Sequence, residues 1–325
     1  MVNLQTEYTK YLIGSPWKVS CVKLWKALSL DNKQINRYLE EERTPYELFQ
    51  EIEFHINPVW WQFCIDDSTL LKEFSRESKA DLVYRHWSWR YKKVVMGINL
   101  ITLFYVDVTW KSFPINWRAY DPNDWKSKND YFLEMMVESI SWWLKPSMVS
   151  WDSWYASGAN LRFITKQWMW FCFSLKGNRS VRRENELKYQ YVSTLTPSKD
   201  WEVVHLKDVW VVKVFEHESF YHAYRPPLQK KETAWITAKK LTRNDFEPVH
   251  RNHRRIEEYH RVLQQVCNIE NHIFRKKNCV ISHIFFAIRS FCVLEINVML
   301  WNLKNRYEYS ANALADYTRD FMSNM

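Results

Sequence analysis

The stretch VVMGINLITLFYVDVTW, from Val94 to Trp110, decides the fold class of this sequence. It is long, β-branched and aromatic, a composition typical of strands. It predicts either one long strand or a strand pair. Just before it, Trp87, Trp89 and Tyr91 alternate with polar residues, which is the period of two of a half-buried strand. The sequence therefore predicts a β-sheet in the middle of the chain.

The same kind of pattern extends over about residues 57–226. Further strands are predicted at Leu161–Leu175, Leu187–Leu195 and Trp201–Phe215, where apolar and β-branched residues are concentrated. One helix, Asp130–Leu144, interrupts the strands and is followed by Pro146. Turn-rich connections between short strands favour a mostly antiparallel sheet.

Both ends of the chain have helical patterns. Near the N-terminus, the segments beginning at Asp31 and at Thr44 each fit a capping box. Near the C-terminus, the helices are predicted at Arg251–Val266, His272–Trp301 and Ser310–Met322. The predicted fold class is α+β, with N-terminal helices, a central mostly antiparallel β-sheet and a C-terminal helical region.

Two units are predicted along the chain. Residues 1–225 form a helical N-terminus plus a Trp-rich β domain, and residues 226–325 form a basic helical region that packs on the first unit or stands apart from it. The apolar segment Cys279–Leu303 includes His283, Arg289 and Glu295, which a lipid-spanning helix rarely tolerates. It is predicted to be a buried helix, and no transmembrane segment is expected.

Glycine is scarce and tryptophan abundant. The chain has 4 glycines and 19 tryptophans among 325 residues, whereas glycine usually makes up about 7% of a protein. The four glycines are too far apart to form a Rossmann fingerprint, a P-loop or a nucleophile elbow. These absences argue against P-loop NTPases, classical dinucleotide-binding folds and the usual α/β-hydrolases.

The net charge of +9 favours an acidic partner such as nucleic acid. A predicted hairpin tip at residues 176–183 carries one lysine and three arginines, flanked by aromatic residues that could stack on bases. Other basic pairs lie elsewhere in the chain. The predicted nucleic-acid-binding residues are Lys92, Lys93, Lys176, Arg179, Arg182, Arg183, Arg254 and Arg255.

A second set of residues is predicted to bind a partner protein. Trp110, Trp117 and Trp125 lie in a stretch that also contains Pro114 and Pro122, so it is predicted to be a surface loop. Exposed tryptophans are common at the centres of protein interfaces. Plain core packing is the alternative explanation for these side chains.

Histidines and cysteines near the C-terminus raise the question of a metal. Four side chains, His250, His253, Glu257 and His260, fall near one face of a predicted helix. The set Cys267, His272, Cys279 and His283 offers the ligand types of a structural zinc site, but on a straight helix its members are too far apart. We therefore expect no cofactor, with zinc as the alternative.

No catalytic constellation is recognisable in the sequence. The adjacent carboxylates Asp66-Asp67 and Glu257-Glu258 are interpreted as solvated faces or turns. A nucleophilic site whose members are distant in sequence stays open, so the question of an enzyme stays open, with a non-enzymatic protein favoured.

In bulk composition (basic, Trp-rich and poor in motifs) the chain resembles retroviral accessory proteins such as lentiviral Vif. That resemblance carries over no functional residue. The leading hypothesis is a non-enzymatic protein that binds RNA or single-stranded nucleic acid. The alternative is a protein-interaction adaptor of the viral accessory kind. Six cysteines without a C-x-x-C pair, and no secretory signal, predict a cytoplasmic or nuclear protein.

Overall fold

A computed structural model shows how the chain folds. It describes residues 3–15, 19, 32–57, 61–88, 90–195, 201–217, 220–225 and 231–308. The predicted cap at Asp31 and the predicted helix Ser310–Met322 lie outside these residues. Within the described part, the chain is an α+β protein with helices at both ends and a large mixed sheet, as the sequence predicts.

Eight α-helices lie in the described part of the chain. They are α1 (Leu4–Gly14), α2 (Asn32–Glu40), α3 (Pro45–Ile52), α4 (Lys128–Ser141), α5 (Gly158–Lys166), α6 (Lys231–Lys240), α7 (Arg243–Gln265) and α8 (Lys277–Met299). Short 3₁₀ turns occur at Glu53–His55, Glu77–Lys79, Pro122–Asp124 and Val192–Thr194.

The described residues also contribute eleven strands to one sheet. They are β1 (Trp61–Leu71), β2 (Tyr84–Ser88), β3 (Lys93–Asp107), β4 (Ser112–Ala119), β5 (Met148–Trp151), β6 (Trp170–Leu175), β7 (Ser180–Arg182), β8 (Gln190–Tyr191), β9 (Trp201–Leu206), β10 (Trp210–His217) and β11 (Phe220–Arg225).

The sheet has the strand order β2-β3-β1-β5-β6-β11-β10-β9-β7-β8, and β4 also pairs with β3. Two pairings are parallel, β1 with β5 and β5 with β6, and the others are antiparallel. Each parallel connection carries a helix, α4 before β5 and α5 before β6, as parallel strands require. The predicted mostly antiparallel sheet is therefore confirmed, with a parallel centre that the sequence did not reveal.

Local sequence signals explain where two helices begin. Thr44 caps α3 in a capping box with Glu47, which confirms the prediction from sequence. Ser127 caps α4 in the same way with Asp130. Each box satisfies two backbone N–H groups that the helix itself leaves unpaired.

Helices α7 and α8 pack into the same core as the sheet. Ile256 and Tyr259 from α7, and Ile284 and Phe286 from α8, belong to one cluster of buried apolar side chains with the strands. By length and composition α8 could cross a membrane, but 72% of its most apolar window is buried within the protein. That burial is typical of the core helix of a globular fold. The predicted division of the chain at residue 225 stays a prediction.

Several predicted elements differ from the structure. Leu161–Lys166 is helix α5 and not a strand, because an N-cap at Ser157 begins a helix there. Trp201–Phe215 forms two antiparallel strands with a turn between them. Leu187–Leu195 contains only the two-residue strand β8 and a 3₁₀ turn. By contrast, Val94–Trp110 lies almost entirely in the single long strand β3.

Candidate functional site

Strand β1 presents alternate residues to helix α7. The amide of Gln62 donates to the carbonyl oxygen of Val249, and the thiol of Cys64 donates to that of Asn252. Further along the strand, the hydroxyl of Ser68 accepts a hydrogen bond from Gln264. Since residues two apart lie on one face of a strand, the helix runs along this face in the same direction as the strand.

Asp66 lies on this same face of β1. One of its oxygens lies 3.6 Å from Nδ1 of His260 on α7. The other accepts a hydrogen bond from the backbone N–H of Asp67. The side chain is 24% exposed, so it lies at the edge of the core and remains accessible from solvent.

A second aspartate, Asp152, stands next to Asp66. Parallel strands β1 and β5 end their register with the pair Ile65 and Trp151, and each aspartate is the next residue. Neighbouring strands are separated by about 4.8 Å, so the two residues are adjacent in space. The carboxylate of Asp152 accepts a hydrogen bond from the backbone N–H of Trp154, which fixes it in the turn after β5.

Helix α7 adds Glu257 to these two aspartates. His253, one turn before it, contacts the hydroxyl of Ser150 on β5 at 3.1 Å. His260, nearly one turn after it, faces Asp66. Residues three and four apart share a helix face, so Glu257 lies between two contacts with the sheet. The predicted shared face of His253, Glu257 and His260 agrees with these contacts.

Burial raises the pKa of both aspartates, and neighbouring carboxylates add to the effect. For Asp66 the largest cause is burial, followed by the negative charges of Asp67 and Asp152, and Glu257 adds to them; its pKa lies well above the usual value. Burial also raises the pKa of Asp152, and the negative charge of Asp67 adds to this, against a hydrogen bond from the backbone N–H of Trp154 that lowers it. Clustered carboxylates with raised pKa values are typical of functional sites and of cation sites.

The histidines beside them are uncharged at neutral pH. Burial lowers the pKa of His260 to about 4, and burial together with His250 and His260 lowers that of His253 to about 4. Burial therefore favours the neutral forms of His260 and Asp66 over an ion pair between them, because both side chains lose water on folding. The charge of the carboxylate cluster is left uncompensated by these imidazoles.

Asp67 points to the opposite face of the sheet and has a different environment. Its carboxylate accepts hydrogen bonds from Lys128 at 2.8 Å, Asn99 at 2.7 Å and the hydroxyl of Tyr155 at 2.9 Å. Burial alone would raise its pKa, but Lys128 and these hydrogen bonds outweigh burial and lower it. Asp67 is thus a satisfied structural carboxylate.

A divalent metal ion fits the donor types of Asp66, Asp152 and Glu257. Carboxylate oxygens are the ligands that Mg²⁺ and Mn²⁺ prefer, and a bound cation would offset the burial and the neighbouring carboxylates that raise the pKa of Asp66. Among the residues that the structure describes, no three His, Cys, Asp or Glu side chains stand together at ligating distance. The fit therefore rests on the type, charge and neighbourhood of the donors.

Three of the predicted nucleic-acid-binding residues lie near these carboxylates. The ammonium group of Lys176 lies 4.8 Å from the ring of Trp154, two residues after Asp152. Arg254 and Arg255 are on α7, within one turn of Glu257. Arg255 also forms an ion pair with Glu258 at 2.8 Å.

The other predicted basic residues lie elsewhere. Arg183 is engaged in ion pairs with Glu186 and Glu202, and a guanidinium nitrogen of Arg182 donates to the carbonyl oxygen of Glu186. Burial lowers the pKa of Arg179. Lys92 and Lys93 lie where β2 connects to β3. A nucleic-acid-binding role for these residues stays a prediction.

The three predicted partner-binding tryptophans do not form one exposed loop. Trp110 is 41% exposed and Trp125 is 96% exposed, but Trp117 is only 2% exposed. The loop prediction is wrong for Ser112–Ala119, which form strand β4 against β3. Pro114 is accommodated there by a shift in the register of the pairing.

The alternative zinc set is distributed over buried helix and loop. The rings of His272 and His283 are 4.5 Å apart, and Cys267 is fully buried in the main core. His283 contacts the hydroxyl of Tyr8. In the described residues these four side chains form no group that could hold a metal ion.

The carboxylate site was not predicted from the sequence, because adjacent acidic residues such as Asp66 and Asp67 are typical of solvated faces and turns. A signal was present: both aspartates follow short apolar runs, FCI before Asp66 and MVSW before Asp152. A polar residue at the end of a buried parallel strand is a recurrent position for functional groups. The missing information was that β1 and β5 are parallel neighbours.

The fold and the site define a protein with a carboxylate cluster at the centre of a mixed sheet, covered by a helix that contributes a third carboxylate. The chain belongs to the family described as Transposase DDE domain, whose model matches residues 120–292, more than half of the chain. A search of the curated proteins found no match. The family model includes Asp152 and Glu257, and Asp66 precedes the matched region.

A comparison of structures found similarity to one chain of a cryo-EM structure of the piggyBac transposase synaptic complex with hairpin DNA. The TM-score is 0.47 and the sequence identity 14%, over 98% of this chain and 71% of that chain. The family assignment rests on the family model.

Family membership corrects two predictions from sequence. The leading hypothesis of a non-enzymatic RNA-binding protein is wrong, and so is the alternative of a viral accessory adaptor, because the chain is related to transposases. Composition alone misled here: a basic, aromatic-rich chain is common to many binding proteins. The broader expectation of a nucleic-acid partner agrees with the family.

Proposed function

We propose that this protein is a transposase that cuts and joins DNA by phosphoryl transfer, with Asp66, Asp152 and Glu257 as its catalytic carboxylates. The observation that carries the proposal is the adjacency of Asp66 and Asp152 on parallel strands, with Glu257 presented by the helix along the same face. The letters DDE are the one-letter codes for two aspartates and one glutamate, which is the composition of this cluster.

The three side chains would hold divalent metal ions. When bound, such ions polarise phosphate oxygens, activate water or a hydroxyl group, and neutralise the charge of the reacting phosphate. The protein itself holds the three carboxylates in fixed positions. Asp66 is fixed in a long strand, Asp152 by the N–H of Trp154, and Glu257 by a helix held to the sheet at His253 and His260.

Positive charge near the carboxylates supports DNA as the substrate. Lys176, Arg254 and Arg255 lie around the site, where they can contact phosphates on either side of the reacting one. In this proposal Lys176, Arg254 and Arg255 contribute affinity that falls with salt. A cytoplasmic or nuclear location, as predicted from sequence, is compatible with this substrate and stays a prediction.

The test compares two adjacent glutamates. Purified protein is incubated with Mg²⁺ or Mn²⁺ and a plasmid carrying the DNA that flanks the gene on both sides, and nicked and linear products are measured. We expect Glu257→Gln to reduce the cleavage rate by at least about 10²-fold, since it removes a charged ligand. Glu258→Gln is the matched control, because Glu258 pairs with Arg255.

Binding of Mn²⁺ supplies a readout that does not depend on finding the right DNA. In calorimetric titrations, wild-type protein and Glu258→Gln should bind Mn²⁺ alike, and Glu257→Gln should bind it more weakly. Equal cleavage and equal Mn²⁺ binding by the two glutamine variants would refute the assignment of Glu257.

A further inference from the structure

A cavity of about 640 Å³ lies at the far end of strand β1. Its described lining comes from the segment after β1, residues 71–83, and from the loop after α7, residues 270–275. The backbone N–H of Leu71 donates to Glu270 at 3.1 Å, and the ammonium group of Lys72 donates to the carbonyl oxygens of Glu270 and His272. These bonds hold the two walls together.

The cavity is positively charged. Lys72, Arg76, Lys79 and Arg275 line it, against two acidic residues, Glu73 and Glu270. Glu270 is already engaged by the N–H of Leu71. Within the described residues, Arg76, Lys79 and Arg275 have no carboxylate partner, whereas Arg183, Arg255 and Arg289 all have one. Cations left without carboxylates around a cavity favour an anionic ligand.

The inner wall offers an aromatic surface to the cavity. His272 is 7% exposed, and within the described part of the chain neither ring nitrogen has a hydrogen-bond partner. Its ring stacks on Phe274, and Phe74 is 90% exposed beside the cavity. Both ring nitrogens of His272 are shielded from solvent, so the exposed ring of Phe74 is the part of this wall that a ligand can contact.

The cavity and the carboxylates lie along one line. Leu71 is five residues beyond Asp66 on the same strand, a distance of about 17 Å at roughly 3.3 Å per residue. Successive nucleotides of one DNA strand rise by about 3.4 Å, so a DNA strand that runs along β1 would cover this distance in about five nucleotides. Since α7 runs parallel to β1, the cavity lies at the end of the same strand–helix layer that carries the site.

We propose that this cavity receives one nucleotide of the DNA substrate, about five nucleotides from the reacting phosphate. Arg76, Lys79 and Arg275 bind its phosphate, and Phe74 stacks against its base. This proposal rests on the proposed function, because it takes DNA as the substrate. In this proposal the cavity positions the DNA, a role that the carboxylates themselves do not have.

The test measures DNA binding apart from cleavage. Fluorescence anisotropy with labelled duplex from the DNA flanking the gene is recorded in Ca²⁺ at several salt concentrations. We expect Arg76→Ala to weaken binding and to reduce the slope of log affinity against log salt by about 1. The matched control is Lys10→Ala, an exposed cation on α1 that is paired with Glu7.

Crosslinking locates the nucleotide. A photoreactive phenylalanine analogue in place of Phe74 should crosslink to one position about five nucleotides from the cleavage site. Unchanged affinity and salt slope in Arg76→Ala, or crosslinks spread evenly along the DNA, would overturn the cavity proposal. Either result leaves the carboxylate assignment standing if Glu257→Gln still abolishes cleavage, so the two failures are distinguishable.

A second observation concerns backbone strain. Ten non-glycine residues in the described part have positive φ, and six of them are tryptophan. These six are Trp110, Trp125, Trp143, Trp168, Trp210 and Trp301. All six are at least 41% exposed, so burial of the indole does not offset the strain. The left-handed region disfavours side chains with a Cβ, and glycine is the usual residue there.

The amino-acid composition also indicates that tryptophan stands where glycine is usual. The 4 glycines and 19 tryptophans together make up about 7% of the chain, which is the usual share of glycine alone. No described glycine has positive φ. We also infer that these six tryptophans occupy glycine positions, and that the organism that makes the protein inserts glycine there. The codon UGA is read as tryptophan in some genetic codes and as glycine in others.

Mass spectrometry of the protein isolated from its source cells tests this inference. The tryptic peptide of residues 119–126 should contain glycine at position 125, with the corresponding loss of mass. Tryptophan in that peptide would overturn the inference about codon reading. The backbone part is tested separately in recombinant protein, where Trp125→Gly should raise the folding equilibrium constant about tenfold. Trp117→Gly, in buried strand β4, should lower it.

Discussion

The two faces of strand β1 treat neighbouring aspartates in opposite ways. On the face toward α7, Asp66 has an uncharged histidine and other carboxylates as neighbours, and its pKa is raised. On the other face, Asp67 is bound by Lys128, Asn99 and Tyr155, and its pKa is lowered. The carboxylate of Asp66 is left free to bind a ligand. The carboxylate of Asp67 is fully engaged by partners within the protein.

This contrast shows how a functional carboxylate can be recognised. A structural carboxylate has its charge balanced by hydrogen bonds and a cation within the protein. A functional carboxylate is held in place with its charge unbalanced, which costs stability and is tolerated where a ligand supplies the missing charge. Asp66 and Asp67 provide this contrast at adjacent positions of one strand.

The largest expected effect is on catalysis. Asp66→Asn should reduce the rate of DNA cleavage by about 10³-fold, because it removes a charged ligand of the metal ions. Asp67→Asn should reduce it by less than about tenfold, which corresponds to about 1.4 kcal/mol. Plasmid cleavage rates of the two variants, measured side by side, test this prediction. Similar losses of rate in both variants would mean that Asp66 and Asp67 do not differ in function.

The next effect is on the pH dependence of stability. The pKa of His260 is lowered to about 4 by burial. Its neutral form therefore adds stability above the unfolded pKa of about 6.5, and this stability is lost as the pH falls toward 4. The full loss is about 3 kcal/mol for a shift of this size. Urea denaturation of His260→Gln should show a shallower decline between pH 6.5 and 4, and a curve parallel to the wild type would count against the burial of His260.

A smaller effect is expected when the structural carboxylate is removed. Asp67→Asn should lower the free energy of unfolding by about 2 kcal/mol at pH 7, since Lys128 loses its charged partner in a partly buried site. Lys128→Met serves as the second arm of a double-mutant cycle. Additive losses in the double variant would mean that the pair is not coupled, contrary to the contacts.

The smallest expected effect is an increase in stability, whereas the changes above are losses. The raised pKa of Asp66 means that its protonated form stabilises the fold at low pH, and that this stability is lost as the pH rises through the raised pKa. At pH 7 without metal, Asp66→Asn should therefore raise the free energy of unfolding by about 1 kcal/mol. Thermal unfolding in the presence of a chelator measures it, and a lower Tm than wild type would show that Asp66 supports the fold.

Much of the fold could be predicted from the sequence. The capping box at Thr44 and the apolar run of β3 are local signals. Interactions between residues close in sequence determine both elements. Helix α5 was missed because only Thr165, Lys166 and Gln167 separate its apolar residues from those that lead into strand β6. Neither periodicity nor propensity separates a helix from a strand in such a run.

The site could be predicted only in part. The shared face of His253, Glu257 and His260 follows from helical spacing within one segment. The pairing of Asp66 with Asp152 depends on two strands 86 residues apart becoming parallel neighbours, as Cys64 and Ser150 do. That pairing is set by the crossover through α4, which no short-range pattern encodes.

The central claim is that Asp66 and Asp152, and not Asp67, form the metal-binding carboxylate site. The most direct test is the anomalous scattering of Mn²⁺ in crystals of the full chain soaked with that ion. We expect an anomalous peak within ligand distance of Asp66 and Asp152, on the face covered by α7. A peak beside Asp67, or none at Asp66 in crystals that bind Mn²⁺ elsewhere, would contradict it.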